Sequence, residues 1–192
     1  MMAIANWFYV IITILVVVIV VLLLVFIGMY NSLVKLRNTV EEAFSTMDVY
    51  MKRRFDLIPN LVETVKGYAS HEKETLEKVI QARSLAQSAG TPEDMMYGES
   101  ALSGALKSLF AVAEGYPQLR ANENYMDLQR QLKAAEDDIA YARKYYNGTV
   151  RMYNIRTEVF PSSIVASIFR FKRKPLYEIA DGIERENVKV QF

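Results

Sequence analysis

The sequence predicts an all-α protein, an N-terminal transmembrane helix followed by an elongated antiparallel four-helix bundle. Three observations lead there. No Asp, Glu, Lys or Arg occurs before Lys35. Beyond it, apolar residues recur every three or four positions, with no sustained two-residue alternation, which is the helix period and not the strand period. Two long segments then bracket two short ones, and short connections between them favour up-down-up-down packing.

Residues 1–6 form a short tail, and 7–29 form the span. From Trp7 to Met29 only Thr13 and Gly28 interrupt 23 apolar residues. As a helix these would cover about 34 Å, close to the hydrocarbon core of a bilayer. In lipid a helix satisfies its own amides, so the β-branched run Val16–Val21 does not need a sheet. Trp7, Phe8 and Tyr9 stand at one end, and Phe26 and Tyr30 at the other, where interfacial aromatics belong. No basic stretch precedes the run and no small-x-small site follows it, so it reads as a retained single-pass anchor, not a cleaved leader. Lys35 and Arg37 follow the span directly, and this bias favours a cytoplasmic bulk domain over an external one.

The bundle occupies 30–161. Its first segment, about 30–66, sets Leu33, Leu36, Val40, Phe44, Met47, Met51, Phe55, Ile58, Leu61 and Val65 on one stripe. Pro59 removes a backbone donor there, so a kink is expected near Phe55–Ile58. Gly67 suggests a stop and Ser70 a restart. The second segment, about 70–87, shows Leu76, Val79, Ile80, Arg83 and Leu85 or Ala86. Gly90, Thr91, Pro92 and Gly98 make 88–98 a surface loop. The third segment, about 99–114, presents Leu102, Ala105, Leu106, Leu109, Phe110 and Ala113, and Gly115-Tyr116-Pro117 closes it. The fourth, about 122–159, keeps the strictest register: Tyr125, Leu128, Leu132, Ala135, Ile139, Ala142, Tyr146, Thr149 or Val150, and Tyr153. Pro161 ends it.

If the fourth helix returns to the membrane, Lys52-Arg53-Arg54 lies opposite Glu136-Asp137-Asp138, and Tyr30-Asn31 lies near Tyr153-Asn154. The competing topology fuses the first two segments through Gly67 and sends the fourth helix away from the bilayer. Asn147 and Asn154 share a helix face. They would bond at the bundle rim, or form an Asn ladder that sets self-association.

Composition narrows the chemistry. The net charge is +1, without the cation surplus that a general nucleic-acid binder needs. There are no cysteines and one histidine, His71, so thiolate chemistry, Cys–zinc sites and most triads are excluded. The Glu-x-x-His pairs of di-iron bundles are missing. No catalytic residue, cofactor, metal site or small-molecule substrate is expected. Residues 162–175 suggest a membrane contact instead. Ile164, Val165, Ile168, Phe169 and Phe171 precede or interleave with Arg170, Lys172, Arg173 and Lys174, a pattern suited to apolar insertion beneath cations that meet anionic headgroups. A short helix capping the bundle is the alternative. Residues 176–192 form a C-terminal tail.

Tyr30-Asn31-Ser32-Leu33-Val34-Lys35-Leu36-Arg37-Asn38 and Lys52-Arg53-Arg54-Phe55-Asp56-Leu57-Ile58-Pro59-Asn60-Leu61-Val62, with Gly67-Tyr68-Ala69, His71-Glu72, Glu114-Gly115-Tyr116-Pro117, Leu128-Gln129, Tyr146-Asn147, Tyr153-Asn154 and Phe160-Pro161, resemble the LemA family. The resemblance covers nearly all of 29–175 and implies a helical-bundle domain on a bacterial inner membrane. It brings no enzymatic activity. One relative is linked to magnetosome membrane formation, and members often neighbour a membrane metalloprotease or TPM-domain proteins. The expected function is therefore a non-enzymatic membrane-anchored scaffold that forms a homo-oligomer or docks another membrane protein, with Tyr141, Tyr145 and Phe110 as exposed contact positions. Alternatives are an oligomer that remodels the membrane, a ligand-sensing domain and, last, a carboxylate-based hydrolase or metal site.

Overall fold

The computed structural model describes residues 2–177, without the side chains of 2–5, 8, 92 and 93. These residues hold six α-helices and no strand: α1 (Met2–Lys66), α2 (Lys73–Gln87), α3 (Pro92–Glu114), α4 (Pro117–Arg120), α5 (Glu123–Glu158) and α6 (Ser162–Ile168). The helices pack antiparallel. The chain divides into two units, one of Met1–Glu42 with Gly148–Lys174, the other of Ala43–Asn147 with Pro175–Phe192. Of the expected tail 176–192, all but Leu176 and Tyr177 lies outside the described residues, as does Met1 of the expected 1–6 tail.

In the second unit the apolar stripes meet. Met47, Met51, Phe55, Ile58, Leu61 and Val65 of α1 are buried, and so are Tyr125, Leu128, Leu132, Ala135, Ile139, Ala142 and Tyr146 of α5. From α2 and α3 come Leu76, Val79, Ala86, Leu102, Leu106 and Leu109, whereas Ile80 and Leu85 are exposed. Helix α1 stops one residue before Gly67, where the amides of Tyr68 and Ala69 both donate to Val65 O. The second helix starts at Lys73, later than Ser70 suggested. Asn122 opens α5, its side chain accepting from the Tyr125 amide at 3.0 Å.

The expected loop at 88–98 is mostly helix. Pro92 occupies the first turn of α3, where its missing N–H costs nothing, and the Thr91 hydroxyl accepts from the Asp94 amide. Gly98 is a close contact and not a breaker. A Cβ there would stand 2.6 Å from Ala86 Cα, so only glycine lets α2 and α3 approach so closely.

Pro59 sits inside α1 without ending it. Its lost amide would have donated to Phe55 O, and Arg83 Nε from α2 donates to that oxygen instead, at 2.8 Å. Arg83→Met should therefore cost about 1–3 kcal/mol, the penalty of a buried acceptor left unpaired. In a Pro59→Ala background the restored amide takes over, and the same substitution should cost less than about half as much. Denaturation midpoints of the four chains measure this coupling. Equal costs in both backgrounds would show that Arg83 acts elsewhere.

In the first unit, α1 carries one stretch long and apolar enough to cross a membrane; it lies near the N-terminus, as signal sequences also do. Its side chains from Val10 to Val25 are exposed. Past it, Leu33, Val40, Val150, Tyr153, Val165 and Ala166 are buried. Ser162 closes the end of α5, its hydroxyl bonding to Arg156 O at 2.7 Å and Val159 O at 3.0 Å. After α6, Arg170 has φ 56°, and residues 171–177 carry no regular secondary structure.

Candidate functional site

The end of the apolar run is built into the first unit. Phe169 packs on Tyr30 with ring centroids 4.6 Å apart and on Phe26 at 6.0 Å. Phe171 meets Tyr30 at 5.9 Å, and the Arg37 guanidinium stacks over its ring at 5.5 Å. The chain after α5 therefore comes back to the helix that carries the apolar run. A small core of Leu33, Val165 and Ala166, flanked by Phe26, Met29, Tyr30 and Phe171, holds α6 against α1. Because Val165 and Ala166 face this core, Ile164 and Ile168 point away and are exposed.

The four expected headgroup-binding cations are not one set. Arg173 lies 3.1 Å from Glu158, and Lys174 lies 3.6 Å from Glu41. Both are held by carboxylates of their own chain. Arg170 and Lys172 carry exposed side chains. Phe171 is half-buried under Arg37, so it belongs to the core more than to a surface. Trp7 and Tyr9, expected at the far interface, are exposed.

The Tyr-Asn pairs do something that their spacing alone did not disclose. In the first unit, Asn154 grips both backbone groups of Lys174: Nδ2 donates to its carbonyl, and Oδ1 accepts from its amide, each at 2.9 Å. The neighbouring Tyr153 hydroxyl donates to Lys172 O at 3.0 Å. In the second unit the same pattern recurs. Asn147 Nδ2 donates to Tyr177 O at 2.9 Å, Oδ1 accepts from the Tyr177 amide at 2.7 Å, and Tyr146 donates to Pro175 O at 3.0 Å. Each asparagine is thus a peptide clamp, and its amide is spent on backbone. That corrects the Asn-ladder expectation. Tyr30 is packed on phenylalanines, and Asn31 is exposed.

Within the second unit, Arg53 lies 3.6 Å from Asp138, and Phe44 packs on Tyr146 at 5.8 Å. Arg53 and Asp138 come from the basic and acidic triplets expected to face each other. Arg54 turns elsewhere. Its Nη1 donates to Glu99 of α3 at 2.8 Å and its Nη2 to Ser103 at 3.0 Å, with both charged side chains only 5% exposed. Lys52, Glu136 and Asp137 are exposed. Phe110 is half-buried and lines a groove of about 820 Å³ with Arg54, Lys133 and Glu136.

Glu99, Arg143 and Tyr177 complete a buried polar cluster that sequence reasoning missed. The Arg143 guanidinium stands over the Tyr177 ring at 5.1 Å. Burial pushes the Glu99 carboxyl above its ordinary range, against the opposing pull of Arg54 and Arg143. Burial also raises the Tyr177 phenol to about 12, helped by the negative charge of Glu99. Among the described residues, no group of three or more His, Cys, Asp or Glu side chains is placed to hold a metal ion, and His71 is exposed.

The LemA family model matches residues 43–192, more than three-quarters of the sequence. The chain belongs to the LemA family. The match runs through the C-terminal segment gripped by Asn147 and on to the last residue, beyond where the motif resemblance stopped. Protein LemA of Metamycoplasma hominis is 27% identical to this LemA-family chain over 168 residues, covering 85% of it and 75% of the relative. Magnetosome protein MamQ 2 of Paramagnetospirillum magneticum is 27% identical over 175 residues, covering 78% of this chain and 64% of that one. Magnetosome protein MamQ of Magnetospirillum gryphiswaldense is 24% identical over 170 residues, covering 75% and 62%. The match thus spans less than two-thirds of the length of each of these magnetosome proteins.

Proposed function

We propose that the chain is a non-enzymatic, single-pass membrane-anchored scaffold, an elongated four-helix bundle that self-associates through the outer face of α5, with its bulk on the cytoplasmic side. The observation that carries self-association is a second apolar stripe on α5. Tyr141, Tyr145, Met152 and Ile155 are all exposed, Tyr141 by 75%. With exposed Gly148 they follow the alternating four- and three-residue steps of a coiled-coil seam, on a face that the buried Tyr146 and Tyr153 do not use. Lone exposed apolar residues are ordinary, but a run at seam spacing suits a second helix. Packing of Phe26 and Tyr30 against Phe169 supports a retained anchor, because removing the apolar helix would take away part of that core.

The chain has no cysteine, so introduced ones report cleanly. Tyr145→Cys and Met152→Cys should each give a crosslinked dimer in native membranes, while Lys107→Cys on α3 should not. Absence of crosslinks at both positions, with a 22.0 kDa monomer after gentle solubilisation, would reject self-association. The likeness to magnetosome proteins favours a second reading, an assembly that shapes the membrane. Imaging of membranes after overproduction separates the two, since a passive scaffold leaves their shape unchanged.

A further inference from the structure

The exposed apolar side chains around α6 need an occupant, and the geometry points to one: the same bilayer that holds the N-terminal helix, entered from its surface by Phe160, Ile164 and Ile168. This second foothold rests on the reading of the apolar helix as a retained span.

Position is the first argument. Phe169, next to Ile168, touches both Phe26 and Tyr30, which flank the last turn of the apolar run Trp7–Met29. With Trp7–Met29 in the hydrocarbon, the C-terminal end of α6 is held at the level where hydrocarbon gives way to headgroups. Exposure is the second. Phe160 is 81% exposed, Ile168 60% and Ile164 51%, although Val165 and Ala166 between them are buried. The chain thus presents large side chains on the face of α6 turned from its own core, and in water nothing offsets that exposure. Continuity is the third, because Phe169, the residue after Ile168 and itself 48% exposed, packs on Phe26 near the end of the span.

Charge complementarity favours lipid over a second protein. Arg170 and Lys172 are exposed immediately after the apolar residues. Cations just beyond inserted apolar residues suit anionic headgroups. Without such a foothold a single helix could swivel freely. A second contact fixes the tilt of the first unit against the membrane plane.

The test uses the full chain reconstituted in phosphatidylcholine–phosphatidylglycerol vesicles, with one bimane-labelled cysteine at a time. Ile164→Cys and Ile168→Cys lie on the face away from the core, so neither disturbs folding. Val16→Cys marks the span and Glu77→Cys marks water. Quenching by nitroxide-bearing lipid at 164 and 168 should exceed that at 77 by about threefold or more and approach that at 16. Lipid quenching at 16, with 164 and 168 matching 77 in iodide quenching, would overturn the foothold and leave the anchor standing. Shielding of 164 and 168 from both quenchers would overturn it too, in favour of a protein partner. An aqueous signal at 16 would overturn both readings.

Discussion

Arg54→Met should lower the stability of the solubilised chain by about 3–5 kcal/mol at neutral pH, the largest single loss expected in this protein. The guanidinium is almost wholly buried and holds Glu99 and Ser103 together. Removing it leaves a carboxylate in a low-dielectric site without its nearest counter-charge, and that desolvation cost exceeds what the intact pair contributes. The pH dependence follows from the direction of the Glu99 shift. Burial already raises this carboxyl, and Arg54 opposes the rise. Loss of Arg54 therefore raises it further. Between the ordinary carboxylate range and the raised value, the native state binds a proton that the unfolded state has released, so stability falls as pH increases. The deficit of Arg54→Met should shrink on acidification as Glu99 becomes neutral. Arg54→Met combined with Glu99→Leu should recover most of the loss at pH 7, because no lone buried charge remains. Urea unfolding followed by circular dichroism measures all three chains. A loss under about 1 kcal/mol, flat with pH, would mean that the pair is effectively solvated.

What could be read in advance, and what could not, divides along range. The α5 seam is a local property. Apolar residues at alternating steps of three and four must share a face of any helix, and all of them from Tyr125 to Tyr153 are buried. The charge-free stretch and the aromatics around the apolar run are likewise local features of the sequence. Pro92 and Gly98 look like breakers in isolation, so the sequence alone points to a loop where α3 starts. One is a first-turn proline, and the other is a glycine demanded by Ala86 of another helix. Only the neighbour distinguishes these cases. Arg54 and Arg83 were placed on the right segments, but their partners, a carboxylate 45 residues away and a carbonyl orphaned by Pro59, carry no sequence signature that pairs them. The Tyr-Asn repeat was visible as a motif of period seven. What it binds is main chain, and main chain looks the same at every position.

That repeat carries the second large effect. A Tyr-Asn pair recurs after seven residues on α5, and each pair grips main chain two residues apart within its own unit, Lys172 with Lys174 in one and Pro175 with Tyr177 in the other. Asn147→Ala removes two hydrogen bonds at once and strands a largely buried amide and carbonyl, so it should cost about 2–4 kcal/mol. Tyr146→Phe, which loses the bond to Pro175 O, should cost about 1 kcal/mol. The Tyr177 phenol reports the event. Pushed up to about 12 by burial, it adds stability that is present in full below its ordinary value of 10 and disappears as pH rises through that raised value. In Asn147→Ala the segment loosens, water reaches the phenol, and its titration should move back toward 10. Ultraviolet titration against a Tyr177→Phe reference isolates this one group among twelve tyrosines. Asn154→Ala should instead speed hydrogen exchange at the Lys174 amide, the donor that Asn154 accepts from in the native chain. If Asn147→Ala leaves both the stability and the Tyr177 titration where they were, the segment is held by something other than the clamp.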